Sequence, residues 1–215
     1  MKLDGAIFDL DGTLLDSMSI WNTIGADYLR SLGREPRDNL NETLKNLSLY
    51  QAACYYQREY GVPGTPQEIM AGVNRMIEHF YINEVQVKPG VPQFLDALRR
   101  HGTQLCIATA TDRYLVEAAL ARTGIRSYFG ELFTCNDVGH GKDAPYIFHA
   151  ALASLGTEQA HTLVLEDALY AIHTAKAAGY TVAGVFDPSE PDQEAVKTLA
   201  DYYIDDYRKA KEILL

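Results

Sequence analysis

The chain has 215 residues, 47% of them hydrophobic and 22% charged, a balance that excludes disordered, collagenous and coiled-coil classes and leaves an ordinary folded protein. That length accommodates one large domain or a core with a modest insertion. A formal net charge of -10 repels nucleic acid backbones and anionic membranes, while lysines, metal ions and backbone amides can still draw a small anion into a cleft.

At the start of the chain, acidic Asp4, Asp9 and Asp11 stand where a signal peptide needs a basic start and an apolar run. No apolar stretch approaches about 18 residues, so a cytoplasmic protein is expected. The first apolar run, Ala6-Ile7-Phe8, lacks the polar alternation of a half-exposed strand and reads as a buried parallel one. Residues 16–87 then show only helical patterns. Trp21, Ile24, Tyr28 and Leu32 recur at helical steps before Gly33, which predicts an amphipathic helix. At least one more helix is expected between Asn41 and Tyr60. Thr65-Pro66-Gln67-Glu68 opens another, with Thr65 and Glu68 as a capping box, Pro66 at the first position, and Ile69, Val73, Met76, Ile77 and Phe80 as its apolar face.

Beyond this stretch, strand and helix alternate. Helices are expected over 91–100, 114–122, 146–154 and 169–178, each closed by a glycine, and buried strands over 105–108, 132–133, 163–165 and 182–186. The rhythm predicts an α/β fold, a doubly wound parallel-sheet Rossmann-like core with a small α-helical domain inserted. The core takes 1–15 and 88–215, the insertion 16–87. Cys54, Cys106 and Cys135 are too scattered for a disulfide framework and are expected as buried free thiols.

Ligands of an open α/β sheet collect at the carboxyl ends of its strands. The first strand is followed by Asp9-Leu10-Asp11-Gly12-Thr13, the second by Thr109-Ala110-Thr111, the third by Lys142 and the fourth by Glu166-Asp167. Carboxylates, hydroxyls and an amine thus converge on one rim. Gly139-His140-Gly141-Lys142 is no nucleotide loop, because Asp143 stands where Ser or Thr is required. The six histidines form no metal-ligand spacing, and His149 and His173 are expected on helix surfaces.

With these motifs in this order, the chain resembles the haloacid dehalogenase superfamily along essentially its whole length. The superfamily's first motif, D-x-D-G-T, is matched by Asp9 to Thr13, its Ser/Thr motif by Thr109, its motif lysine by Lys142, and its acidic pair by Glu166-Asp167. The helical insertion is similar to the cap of the subgroup containing phosphoglycolate phosphatases and β-phosphoglucomutases. The resemblance implies a Mg²⁺-dependent phosphatase acting on a small phosphorylated metabolite such as a sugar phosphate. Asp9 would be the covalent nucleophile, and Asp11 the acid and then the base. Thr109, Ala110 and Lys142 would hold the phosphate. Asp9, the Asp11 carbonyl, Asp167 and Glu166 would hold the metal, Glu166 as ligand or outer partner. Because the insertion joins the core near Leu14 to Asp16 and again near Val85 to Pro89, it is expected to hinge over the rim and exclude water. Trp21, Arg34 and Arg75 are candidates to face substrate, and a monomer or weak homodimer is expected.

The chain departs from the family pattern at Asp143, where proline usually follows the lysine, and at Ala168 and Ala171, where E-D-S-x-x-G is usual. The nearest rival activity is a β-phosphoglucomutase-like phosphomutase. Thr13 in place of valine and Trp21 near the position of a cap histidine argue against it. A metal-independent dehalogenase would have no use for Asp11. A catalytically silent binding protein would have no use for the intact Asp9, Asp11, Thr109, Lys142 and Asp167 set.

Overall fold

Burial along entire runs, rather than on alternate residues, marks the strands. All four residues of β1 (Gly5–Phe8) are buried, as are all five of β4 (Thr162–Glu166). The computed structural model describes residues 3–214 apart from 45, 46 and 48. Among them, six strands form one sheet in the order β3-β2-β1-β4-β5-β6. The others are β2 (Gln104–Thr109), β3 (Glu131–Thr134), β5 (Thr181–Val185) and β6 (Tyr202–Ile204), and every neighbouring pair is parallel. The α/β doubly wound class expected from the sequence is the one observed. Residues 1–17 with 85–215 form one compact unit and Met18–Glu84 a second.

The second unit holds four helices: α1 (Met18–Ser31), α2 (Leu40–Leu44), α3 (Leu49–Tyr60) and α4 (Pro66–Asn83). The Thr65 capping box forms: the Thr65 hydroxyl accepts from Glu68 N at 3.3 Å and the Glu68 carboxylate from Thr65 N at 2.7 Å. α1 and α4 approach closely at Gly72, where a Cβ would lie 2.7 Å from the Tyr28 ring. The expected stripe on α1 is narrower than the sequence suggested, since Ile24 and Tyr28 are buried while Trp21 is 47% and Leu32 41% exposed. Leu29 and Gly25 take the vacated inner positions. The helix expected between Asn41 and Tyr60 is two segments, α2 and α3, and residues 45, 46 and 48 of that stretch lie outside the described ones.

Seven helices follow in the sheet unit: α5 (Val91–His101), α6 (Arg113–Thr123), α7 (Cys135–Val138), α8 (Tyr146–Leu155), α9 (Leu169–Ala177), α10 (Gln193–Leu199) and α11 (Tyr207–Leu214). Phe8 meets Phe94 of α5 and Phe129 edge-on, with centroids 6.3 and 5.8 Å apart. The sequence did not announce β6, α7, α10 or α11, and β5 stops one residue earlier than expected, leaving Phe186 outside it and 42% exposed. Of the cysteines only Cys106 is buried; Cys54 and Cys135 are partly exposed, contrary to expectation, because each falls on a helix rather than a sheet interior. No helix among the described residues is long and apolar enough to cross a membrane.

Candidate active site

Strand order reverses at β1: β2 and β3 lie on one side, β4 to β6 on the other. Such a switch point opens a crevice at the carboxyl ends of the strands. Asp9 is the first residue beyond β1, and its N–H donates to Leu165 O of β4 at 2.9 Å. The chain then turns back on itself. Leu14 N and Leu15 N both donate to Leu10 O at 2.8 Å, a reversal that puts Gly12 at φ 77, where a side chain would be strained.

Four charged groups meet inside this crevice. The Lys142 ammonium, 3% exposed, donates to Asp9 Oδ1 and to Glu166 Oε2 at 2.7 Å. Asp167 Oδ1 accepts from the Thr13 hydroxyl at 3.1 Å, and Glu166 Oε1 from Ala168 N at 3.3 Å. Asp9, Glu166 and Asp167 each present an oxygen within 4.8 Å of the others. Three carboxylates against one ammonium leave an excess of buried negative charge, which folded proteins tolerate only with a further proton or cation.

Titration reflects that imbalance. Burial, then the charge of Glu166, push the Asp9 carboxyl up to about 8, against the pull of Lys142. Burial and Glu166 likewise hold Asp167 well above the ordinary carboxylate range. Burial opposes the charge on Lys142, but Asp9 and Glu166 outweigh it and raise its pKa. An all-oxygen, strongly anionic donor set of this kind suits a hard divalent cation.

Asp11 is held by hydroxyls. Ser17 donates to its Oδ1 at 2.6 Å and Thr111 to its Oδ2 at 2.5 Å, so both carboxylate oxygens are oriented by hydroxyls. Thr109 ends β2 fully buried, and its Oγ1 accepts from Thr111 N at 3.1 Å. Ala110 follows it as an exposed bend residue. Of the sequence-predicted residues, Asp9, Lys142, Glu166 and Asp167 meet directly, while Asp11 is joined to Thr111, two residues beyond Thr109 at the end of β2.

Several neighbours had no signal beyond residue type. Thr13, Ser17 and Thr111 are common hydroxyls whose partners become visible only in the fold. Tyr170 and Cys135 also lie within electrostatic range. Burial and the charge of Glu166 push the Tyr170 phenol up to about 12, and burial raises Cys135. One departure from the family pattern, Ala168, is absorbed locally. Ala168 gives α9 no side-chain cap, and Glu190 instead accepts from Leu169 N at 3.0 Å. His149 and His173 are exposed on α8 and α9. In the second unit, Arg75 lines a cavity of about 620 Å³ with Tyr28 and Phe80, and Arg34 donates to Gly61 O at 3.2 Å.

Residues 6–185 match the model of the haloacid dehalogenase-like hydrolases. The chain belongs to this family. Among its relatives is the protein CbbY of Rhodobacter capsulatus, 27% identical over 98% of this chain and 96% of the relative. The pyrophosphatase PpaX of Bacillus velezensis is 28% identical over 86% and 83%, and hexitol phosphatase B of Escherichia coli K12 is 25% identical over 80% and 79%. In fold, the chain matches a Thermotoga maritima protein provisionally described as a β-phosphoglucomutase, with a TM-score of 0.87, 21% identity and coverage of 99% and 100%. CbbY of Rhodobacter sphaeroides in complex with phosphate gives 0.74, 22%, 96% and 96%.

Proposed function

We infer that this phosphate-ester hydrolase cleaves a small phosphorylated metabolite, a sugar phosphate or similar monoester, in the cytoplasm, through an aspartyl-phosphate on Asp9. The observation that carries the reading is the division of labour in the crevice: one carboxylate bound to a buried lysine, another oriented by two hydroxyls. Lys142 fixes Asp9 Oδ1, and no described group donates to the second oxygen, which attacks phosphorus. The ester P–O bond then breaks, and Asp11 gives its proton to the departing alkoxide. Asp11 next takes a proton from water, whose oxygen attacks phosphorus, releases phosphate and restores Asp9.

Ser17 and Thr111 keep the Asp11 carboxyl in one orientation between those two transfers. Lys142 offsets charge on the phosphoryl oxygens, while Thr109 and the Ala110 N–H bind them from the end of β2. Asp9, Glu166, Asp167 and the Asp11 carbonyl would hold Mg²⁺, with Glu166, already bonded to Lys142 and Ala168 N, as the outer member. When bound, the ion supplies the positive charge that lets one anion attack another. The residues of 18–84 are assigned to selection of the leaving group, since the groups assigned chemical roles all fall in 1–17 and 85–215.

The test is phosphate release from sugar phosphates, phosphoglycolate, nucleotides and p-nitrophenyl phosphate with Mg²⁺ or EDTA. Release that EDTA abolishes is expected. Conversion of β-glucose 1-phosphate to glucose 6-phosphate with no free phosphate would make the protein a mutase instead, and no turnover of any ester would leave it a binding protein.

A further inference from the structure

The turn that follows β2 is bridged to β3 and α7 by side chains that have no part in the proposed chemistry. Arg113, the first residue of α6, donates from Nη2 to Leu132 O of β3 at 2.7 Å and to Asp137 Oδ2 of α7 at 2.8 Å. Asn136 Nδ2 donates to Asp112 Oδ1 at 2.8 Å. An aspartate at a helix N-cap ordinarily accepts from the backbone of the first turn. Asp112 makes no such cap, and its carboxylate is engaged by α7 instead.

The receiving end is itself tied down. Thr134, paired with Thr109 in the β2–β3 register, donates from its N–H and its hydroxyl to Asp137 Oδ2 at 2.7 and 2.8 Å. Asp137 N donates back to Thr134 Oγ1 at 3.3 Å, which completes a capping box. One carboxylate oxygen thus gathers Arg113 and both Thr134 donors. Burial opposes the charge on Asp137, yet these donors outweigh it and hold the carboxyl below its ordinary range. The Arg113 and Asp137 side chains are 48% and 36% exposed, where an ion pair adds little to stability. Its consequence is geometric.

Between β2 and these bridges lies Thr111. Its N–H donates to Thr109 Oγ1 at 3.1 Å and its hydroxyl to Asp11 Oδ2 at 2.5 Å. Asp112 is its immediate neighbour and Arg113 the next residue, so a shift of either moves that hydroxyl directly. We propose that Arg113 is a positioning residue for Asp11: with Asn136 it braces the turn of residues 110–112 against α7, and the Thr111 hydroxyl thereby holds Asp11 in the orientation that protonates the leaving alkoxide. The inference rests on the reading of Asp11 as proton donor and adds to it a support that no motif contains.

The experiment measures kcat/KM for the best sugar phosphate and for p-nitrophenyl phosphate with wild type, Arg113→Met, Thr111→Val and the double variant. This ratio covers the steps through loss of the leaving group, and p-nitrophenolate departs without a proton whereas an alkoxide needs one. Arg113→Met is expected to lose at least about tenfold on the sugar phosphate, part of the roughly 10²- to 10⁴-fold that a general acid supplies. On p-nitrophenyl phosphate it should lose less than about threefold, the range of an ordinary surface substitution. The double variant should be no worse than Thr111→Val alone, because both changes act through one bond. Equal losses on the two esters would assign the turn to phosphate binding and overturn the proposal, as would no loss on either or additive losses in the double variant. Each of those results, with a wild type that hydrolyses both esters, leaves the phosphatase reading standing. A wild type that hydrolyses neither ester removes both readings together.

Discussion

Lys142 and the three carboxylates around it can be neutral overall only with a further positive charge, either protons or a metal ion, and the two compete. Asp9 has a folded-state pKa of about 8 against an ordinary value of 3.8. Between those values the folded metal-free protein binds more protons than the unfolded chain, so for this group stability falls as pH rises through the window. Mg²⁺ requires the ionised carboxylate, so its affinity moves the other way, rising by about tenfold per pH unit for each proton displaced until about pH 8. Melting curves with EDTA and with saturating Mg²⁺ at pH 6 and 8, compared between wild type and Asp9→Asn, check this. The wild-type protein should gain more from Mg²⁺ at pH 8 than at pH 6, and an equal gain at both would contradict the assignment of Asp9 to the metal cluster.

At the scale of elements, the site depends on strand ends that neighbouring helices fix in place. Gly90, at φ 89, lets α11 reach α5. Gly90→Ala would combine a left-handed backbone with a Cβ 2.6 Å from backbone nitrogen, a cost of roughly 1–3 kcal/mol or more. Denaturant unfolding should show that loss, and a change under about 0.5 kcal/mol would mean that the two helices separate freely. The strands that carry Asp9, Thr109 and Glu166 were legible in the sequence because they are buried on both faces and read as unbroken apolar runs. β6 was not, since Tyr202 and Tyr203 are only half-buried and the strand is three residues long. The motif residues could be read from their positions after strands. The partners of Asp11 could not, because Ser17 lies six residues beyond it and Thr111 a hundred, and a hydroxyl carries no pattern of its own.

For the molecule as a whole, the parallel sheet gathers chemistry from distant parts of the chain at the point where strand order reverses. A net charge of -10 raises local cation concentration and disfavours anions, so under the proposed function an anionic substrate would depend on Lys142, backbone amides and a bound cation at this one place. The central claim is that Asp9 becomes phosphorylated. Rapid acid quench during turnover of the best substrate, followed by mass spectrometry of the peptide containing Asp9, tests it most directly. The account predicts that this peptide transiently gains the mass of one phosphoryl group, on Asp9, and that Asp9→Asn neither gains it nor releases phosphate. Wild-type turnover with no phosphorylated peptide, or release of phosphate by Asp9→Asn at the wild-type rate, would contradict it.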